Sequence, residues 1–387
     1  MIGVAWDGSS QFFVSVVAVV VAALLALAAA APRSGGRRLR ELVLVLLSAI
    51  GGVLTVVATD LVVLFGGLVL LTVPLYAVTG RRGIRAVERE VPRFLLGASA
   101  TATAVYGIAL LYASTGQTAY AGLGRATANP LYLAGLALVC AGVVTHLAIG
   151  SATRPSILRN AALAAALIRL IAATRNGDVA LDWEVTLATL GALALVVAGL
   201  GALTERRIGR LVGYALISQL GYGAIGVAAS AAPAAALSLA VYAVLGVGLF
   251  GVLAVLPSSP GADDPTLSDL AGLARRRPLL VVGLGVLVAG LIGIPPTAGF
   301  IARISLFEAA VRAQLLWLVL VGAFAAVAGV ASYGRIVLAC FAPPHLDAVA
   351  PPRARVATAV VLLAAFGVLI VGVFPGPLLD LAQIVRF

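Results

Sequence analysis

Among the ionisable side chains inside apolar stretches long enough to cross a membrane, three suggest different proton chemistries. His146 can titrate near physiological pH. Arg303 keeps its charge at neutral pH, so it can hold a fixed charge or a water chain but cannot release a proton. Glu308 is the carboxylate deepest within a predicted helix and follows Arg303 by five residues. Because ionisable groups at membrane depth are costly, these residues are candidates for a proton path.

The same residues also have purely structural interpretations. His146 is compatible with a neutral, hydrogen-bonded core residue, and Arg303 with an ion pair to Glu308 or to a carboxylate of a partner subunit. Arg169 and Arg335 can extend their long side chains to the membrane interface. Three polar residues fit hydrogen bonds between helices as well as a channel lining. They are Ser218, Gln219 and Tyr222.

One apolar segment contains a predicted break. Residues 278–313 are too many for one simple crossing, and paired prolines interrupt them. Proline removes a helix donor and clashes with the preceding turn, so we expect helices over 278–293 and 299–313 with an unwound piece between them. A break of this kind exposes backbone carbonyls to a polar interior, which favours a functional origin. The residues that define it are Gly293, Pro295, Pro296 and Gly299.

No cofactor or metal site is predicted from this chain. Its two cysteines, Cys140 and Cys340, lie in apolar helices without a CxxC pair, so the chain alone cannot build an iron–sulfur or zinc site. The sequence also has no phosphate-binding glycine loop and no nucleophile–base constellation. A stand-alone enzyme is therefore not expected.

Composition indicates an all-α integral membrane protein. Hydrophobic residues make up 62% of the 387 residues and charged residues 11%, and the mean hydropathy is +1.13. A soluble domain carries roughly a quarter charged residues. Apolar runs of helical length without strict alternation favour helices over a barrel. We predict twelve transmembrane helices, near 11–31, 41–59, 61–79, 93–114, 129–150, 156–174, 184–203, 208–229, 233–256, 278–313, 315–342 and 356–382.

The charge distribution predicts the topology and argues against nucleic acid as a partner. All 26 basic residues are arginine, which gives a net charge of +11. Nineteen of them fall in one set of alternate loops and four on the other side. By the positive-inside rule, both termini are expected to lie outside and the arginine-rich loops in the cytoplasm.

The residues before the first predicted helix include Asp7 and no arginine, so we expect this helix to be retained rather than cleaved as a signal peptide. The composition is typical of a bacterial protein, and we expect a multi-pass protein of the bacterial plasma membrane.

Four stretches resemble the antiporter-like membrane subunits of respiratory complex I, and among them the N-type subunit. The first runs from Thr59-Asp60 to Tyr76, and the second combines Phe94–Ala98 with Tyr106–Tyr112 and Thr115-Gly116. The third is RLVGYALISQLGY at 210–222, and the fourth is GIPPTAGF at 293–300 followed by IAR at 301–303. They occur in the family's order and span most of residues 40–345.

The resemblance implies an architecture and a set of partners. Family members contain two inverted five-helix repeats, each with one discontinuous helix, which here correspond to residues 41–174 and 184–342. Helices 5 and 10 are the expected broken pair, and helices 11–31 and 356–382 flank the repeats. The family usually has more helices before the first repeat, so this chain is expected to be N-terminally reduced. Its expected partners are the lipid bilayer and other membrane-arm subunits of a multi-subunit respiratory complex.

The sequence departs from the family at the positions that carry protons. The family uses a carboxylate in the first repeat, where this chain has Val69, and lysines at both broken helices. Those lysine positions correspond to His146 in helix 5, to Asn160 or its neighbour Arg159 in helix 6, and to Arg303 in helix 10. The junction between helices 5 and 6 is also shorter than in the family.

Three functions follow from this combination. The leading hypothesis is a redox-centre-free membrane-arm subunit of a complex I-type NADH:quinone oxidoreductase that couples electron transfer elsewhere to proton translocation, with a rewired proton path. The second is a non-pumping scaffold within that complex, favoured by the lost carboxylate and lysines. The third is a subunit of a cation/proton antiporter, which needs more titratable groups at mid-membrane than this sequence has.

Overall fold

The computed structural model describes residues 3–30, 35–79, 84–124, 129–148, 156–174, 183–256, 265–343 and 355–385. These residues form sixteen α-helices and one short 3-10 helix. Isolated β-bridges also occur among them, but no β-strand. Eleven helices are long and apolar enough to cross a membrane. A twelfth predicted crossing is divided into two shorter helices. The predicted all-helical, multi-pass membrane class is confirmed.

The chain divides into two compact units. The first comprises residues 1–21, 33–182 and 384–387. Its helices are α1 (Gly8–Ala30, of which the part up to Val21 belongs here), α2 (Gly35–Val57), α3 (Leu61–Thr79), α4 (Ile84–Thr115), α5 (Tyr120–Leu123), α6 (Pro130–Ala148) and α7 (Ser156–Thr174).

Close backbone contact holds α4 against α6 in the first unit. A Cβ atom added to Gly107 would lie 2.6 Å from the carbonyl oxygen of Gly135, and one added to Gly135 would lie 2.9 Å from that of Gly107. Membrane helices gain no hydrophobic free energy by leaving lipid, so they depend on close packing of this kind. The glycine pair therefore positions the helix that carries His146.

The N-terminal segment closes one end of the first unit. Val4 bridges Ala58, and the Thr59 N–H donates to the Gly3 carbonyl at 3.0 Å. Asp7 then caps α1, since its Oδ1 accepts the Ser10 N–H at 2.7 Å. The loop before α3 is thereby tied to the start of the chain.

The second unit comprises residues 22–32 and 183–383. Within it α10 is buried along most of its length and packs against α9, α13 and α15. Its helices are α8 (Trp183–Thr204), α9 (Ile208–Ala228), α10 (Ala232–Val255), α11 (Leu273–Arg276), α12 (Pro278–Ile292), α13 (Ala298–Arg312), α14 (Leu316–Phe341), α15 (Arg355–Val373) and α16 (Gly376–Ala382).

The predicted break lies between α12 and α13. Helix α12 ends at Ile292 and α13 begins at Ala298, each within one residue of the sequence prediction. Gly293 has φ +78°, a left-handed conformation that favours glycine after a helix. In the first unit the expected broken helix was helix 5, at residues 129–150. Its counterpart α6 is continuous over Pro130–Ala148, and residues 149–155 lie outside the described part of the chain.

Candidate functional site

Arg303 is a buried cation bound to the broken helix. Its side chain starts on α13, and the residue is only 7% exposed. The two terminal nitrogens donate to the carbonyls of Ile292 and Leu291, the last two residues of α12. Its guanidinium carbon lies 4.4 Å from the centre of the Tyr222 ring, in a cation–π contact. The guanidinium therefore reaches back across the break.

These contacts account for the carbonyl groups that the end of α12 leaves without helical partners. The Ala289 carbonyl accepts the N–H groups of Gly293 and Ile294, and Gly290 accepts that of Gly293. Leu291 and Ile292 accept from Arg303 as described above, and the Gln219 side chain also donates to Leu291 at 3.3 Å. A helix normally leaves four such carbonyls at its end. Here all four are satisfied, two of them by the guanidinium.

The polar residues of α9 support this arrangement. The Tyr222 hydroxyl donates to the Gly322 carbonyl of α14 at 2.7 Å, which fixes the ring beneath Arg303. Ser218 is 7% exposed and lies on the same helix as Gln219. Gln219 and Tyr222 thus act as hydrogen-bonding contacts between helices, as one of the two sequence interpretations proposed.

Glu308 lies away from this centre. Its carboxylate pairs with Arg312 one turn later on α13, and both side chains are exposed, 58% and 78% respectively. The proposed ion pair between Arg303 and Glu308 is therefore wrong. The reason is geometric: the carbonyls of the break are the acceptors nearest to the Arg303 guanidinium. Glu308 contributes no buried carboxylate to the second unit.

His146 lies at the centre of a second polar cluster, in the first unit. It is fully buried on α6, and its Nε2 lies 2.9 Å from the Thr101 hydroxyl of α4. Its Nδ1 has no hydrogen-bond partner among the described residues. A neutral imidazole carries one donor and one acceptor nitrogen, so this ring can take up a proton at one side and release it from the other.

Arg159 and Asn160 lie at the start of α7 and join this cluster. Arg159 is 5% exposed and Asn160 is fully buried. The Arg159 side chain donates to the Asn160 Oδ1 at 3.2 Å and interacts electrostatically with His146 and Tyr76. The Asn160 Nδ2 has no partner within the described part of the chain. Val69, which the resemblance placed at the family carboxylate position, is a half-buried apolar residue of α3.

Arg169 and Arg335 bind partners within their own units, which the sequence interpretation missed. Arg169 forms an ion pair with Asp7 at 2.8 Å. Arg335 donates to the Ala202 carbonyl at 2.7 Å and so caps the end of α8. Both contacts lie at helix ends, so the proposed extension of these side chains to the membrane interface stays a prediction. An aspartate directly before an apolar helix was the available signal for the first pair.

Asp7 is charged in the folded chain. Burial alone would raise the pKa of its carboxyl, but the hydrogen bonds from Arg169 and from the Ser10 N–H outweigh it and hold this pKa below the ordinary value of 3.8. A cavity of about 560 Å³ adjoins the pair in the first unit. Its wall includes Asp60, Tyr120 and Arg169.

Comparison with known proteins is consistent with this architecture. Residues 58–329 match the family model described as "NADH:quinone oxidoreductase/Mrp antiporter, TM". The chain is 32% identical over 372 residues to NADH-quinone oxidoreductase subunit N of Trichlorobacter lovleyi, covering 88% of this chain and 75% of that protein. It is 35% identical over 378 residues to NADH-quinone oxidoreductase subunit N 2 of Roseiflexus castenholzii, with the same coverage.

Two solved structures share the fold. A chain of respiratory complex I from Thermus thermophilus superimposes with a TM-score of 0.85 at 30% identity, over 98% of this chain and 87% of that one. A chain of the Mrp complex from a Dietzia species gives a TM-score of 0.84 at 20% identity, over 98% of this chain and 83% of that one. At that identity the second likeness concerns the fold alone.

Proposed function

The chain belongs to the NADH:quinone oxidoreductase/Mrp antiporter membrane family, and we propose that it is a membrane-arm subunit of a complex I-type NADH:quinone oxidoreductase. The observation that carries this proposal is the match to relatives named subunit N over three quarters of their length. The likeness to complex I at 30% identity supports it, whereas the likeness to the Mrp complex at 20% extends to the fold only. The antiporter alternative is correspondingly weaker.

In this role the subunit would couple electron transfer elsewhere to proton translocation and carry no redox centre. Cys140 and Cys340 lie buried on different helices as free thiols, and no group of three potential metal-ligating side chains occurs within the described residues. Its partners would be the redox subunits and the neighbouring membrane-arm subunits. The proposed location is the bacterial plasma membrane, with both termini outside, on the strength of the arginine distribution.

The proposed architecture is two inverted repeats, at residues 41–174 and 184–342. The division of the chain into compact units at residues 182 and 183 supports this assignment. Inverted repeats with interrupted helices are a common design of membrane transporters.

The proton step of this chain, in our proposal, belongs to the first unit. His146 is buried, with one nitrogen bonded to a hydroxyl and the other without a hydrogen-bond partner among the described residues. The Thr101 hydroxyl, which also bonds to the Gly97 carbonyl, could pass a proton to the imidazole only while it takes another from a water beside it, so that the hydroxyl is restored and neither group leaves its position. Arg159 would act as a permanent charge beside this pair. Water would have to supply the remaining links on the Nδ1 side.

The scaffold alternative has an observation of its own in its favour. The second unit places a non-titrating guanidinium at its helix break, and its carboxylate Glu308 is on the surface in a pair with Arg312. Among its described residues the second unit therefore has no buried carboxylate to serve a proton relay.

Affinity purification of the tagged chain from bacterial membranes tests the assignment to complex I. We expect it to carry other membrane-arm and redox subunits and an NADH:quinone oxidoreductase activity. Recovery with cation-transport subunits and without this activity would instead establish the antiporter alternative.

A further inference from the structure

We propose that the break between α12 and α13 is a cation-binding site that Arg303 of the same chain occupies, and that in the absence of this side chain the site takes a free guanidinium-class cation. The proposal concerns binding and stability, so it holds whether or not the subunit moves protons. Four features of the second unit carry it.

The first feature is the acceptor set. The carbonyls of Leu291 and Ile292 end α12, where the helix dipole places partial negative charge. Both accept from the two terminal nitrogens of one guanidinium. A planar fork of this kind matches two neighbouring acceptors better than a spherical ion or a single ammonium does.

The second feature is the wall on which the cation lies. The Tyr222 ring faces the guanidinium at 4.4 Å, and its hydroxyl is bonded to Gly322, so the ring is held in place before any cation binds. An aromatic face prefers a diffuse, weakly hydrated cation when water is excluded. Arg303 is 7% exposed, so water is largely excluded here.

The third feature is steric. A Cβ atom on Gly293 would lie 2.8 Å from the Arg303 Cδ and 2.9 Å from its terminal nitrogen. A Cβ atom on Gly299 would lie 1.8 Å from the Gly290 carbonyl oxygen. Gly293 therefore leaves room for the Arg303 side chain, and Gly299 allows the start of α13 to lie against the backbone of α12.

The fourth feature is the charge balance. Within the described residues, no ion pair joins Arg303 to a carboxylate, and the described partners of its charge are carbonyls and tyrosines. Removing the guanidinium would leave the Ile292 carbonyl without its described partner, and the Leu291 carbonyl with Gln219 alone, in a cavity of the guanidinium's size. Such groups are costly when buried, so a cation that restores both bonds should bind.

The test is chemical rescue of Arg303→Ala in the assembled complex, followed by thermal stability in detergent. We expect the variant to melt below wild type and guanidinium at sub-denaturing concentration to restore more than half of the loss. Urea, which has the same planar shape without charge, and sodium should not restore it. Wild type, whose site is filled, should gain nothing from guanidinium.

Arg335→Ala is the matched control. It also deprives the carbonyls of Ala202 and Glu205 of an arginine, but at a partly exposed helix end that water reaches. Its stability should not respond to guanidinium. Equal rescue of both variants, equal rescue by urea, or an Arg303→Ala variant as stable as wild type would each overturn the proposal.

A second pair of variants keeps the proposal testable if Arg303→Ala does not assemble. Arg303→Lys keeps a cation, and Arg303→Met keeps a similar length without charge. We expect the lysine variant to retain clearly more assembled complex and a higher melting temperature than the methionine variant. Equal losses of assembled complex and of melting temperature in the two variants would show that the site needs side-chain volume rather than charge. That result would contradict the proposal. Because these readouts are stability and assembly, they are independent of the proton-translocation proposal.

Discussion

At the scale of single residues, the type of side chain at a position determines whether it can move a proton or only hold a charge. His146 and Arg303 are both predicted to lie at lysine positions of the family, yet their surroundings differ. Within the described part of the chain the imidazole has one hydroxyl partner and one nitrogen without a partner, whereas the guanidinium is fixed on two carbonyls and a ring. The residue types predicted this contrast, because arginine does not titrate at neutral pH. The contacts of the two side chains could be identified only from the three-dimensional structure.

The Tyr222 ring and its hydroxyl should have separable effects. Tyr222→Phe removes the hydrogen bond to the buried Gly322 carbonyl but keeps the cation–π face, so we expect a loss of about 1 kcal/mol in the free energy of unfolding. Tyr222→Leu also removes the face under Arg303 and should cost more. Thermal unfolding of the full chain in detergent measures both. If the leucine variant were as stable as the phenylalanine variant, the cation–π contact would have no stabilising role.

The ion pair between Asp7 and Arg169 should make stability depend on pH at the acidic end. The folded-state pKa of Asp7 lies below its ordinary value of 3.8. The unfolded chain therefore binds more protons, and the contribution is complete above pH 3.8 and is lost as the pH falls through the folded pKa. Asp7→Asn should be less stable than wild type near neutrality, and this difference should narrow as the solution is acidified below pH 3.8.

The control for that prediction is the Arg169→Gln background. Asp7 is half exposed, so the effect will be small, as for most exposed pairs. Without Arg169 the cost of Asp7→Asn should shrink further, since the Ser10 N–H is then the remaining described donor to the carboxylate. A cost unchanged by Arg169→Gln would show that the pair does not stabilise the unit.

At the scale of helices, hydropathy located the membrane crossings but not every helix end. The break between α12 and α13 was predicted within one residue, because paired prolines act locally on the backbone. Helix α4 begins at Ile84 rather than near residue 93, since hydropathy marks the span in lipid and misses the charged turns that continue the helix. Arg303 donates to carbonyls that lie 11 and 12 residues earlier in the chain. These contacts depend on the turn geometry at the break, which cannot be predicted from the periodicity of the sequence.

The glycine contact between α4 and α6 should be sensitive to a single methyl group. Gly107→Ala places a Cβ atom 2.6 Å from the Gly135 carbonyl and from the Val139 nitrogen. We expect a loss of about 1–3 kcal/mol, as for other overpacked sites. Thermal unfolding of the full chain in detergent is the measurement.

Gly66→Ala is the matched control in the same unit. This glycine lies within α3 with no atom within 4 Å of an added Cβ. Alanine has the higher helix propensity, by about 1 kcal/mol, so the control should be neutral or stabilising. Comparable losses at Gly66 and Gly107 would contradict the claim that α4 and α6 depend on backbone contact.

At the scale of the whole molecule, composition alone indicated the class and the family motifs indicated the relatives. With 62% hydrophobic residues, the chain is too apolar to fold in water and must lie in a lipid bilayer. The four motif stretches fall largely within the matched region, 58–329. The site could be predicted only as a list of residues, since the two clusters are formed by residues far apart in sequence, such as Thr101 with His146. Fold and function are separate questions here, because the family's lysines are absent from this chain.

The ratio of protons moved to electrons transferred, measured in sealed membrane vesicles of the parent complex, tests the central claim most directly. His146→Gln keeps a hydrogen-bonding side chain near Thr101 and removes the titrating ring, and Thr101→Val is the companion variant at the other side of that bond. With normal assembly on a native gel, we predict a lower ratio for His146→Gln. We predict an unchanged ratio for the assembled fraction of Arg303→Met, because the arginine that it replaces holds its charge and does not relay a proton. An unchanged ratio in the fully assembled His146→Gln complex would contradict the account and leave this subunit a scaffold.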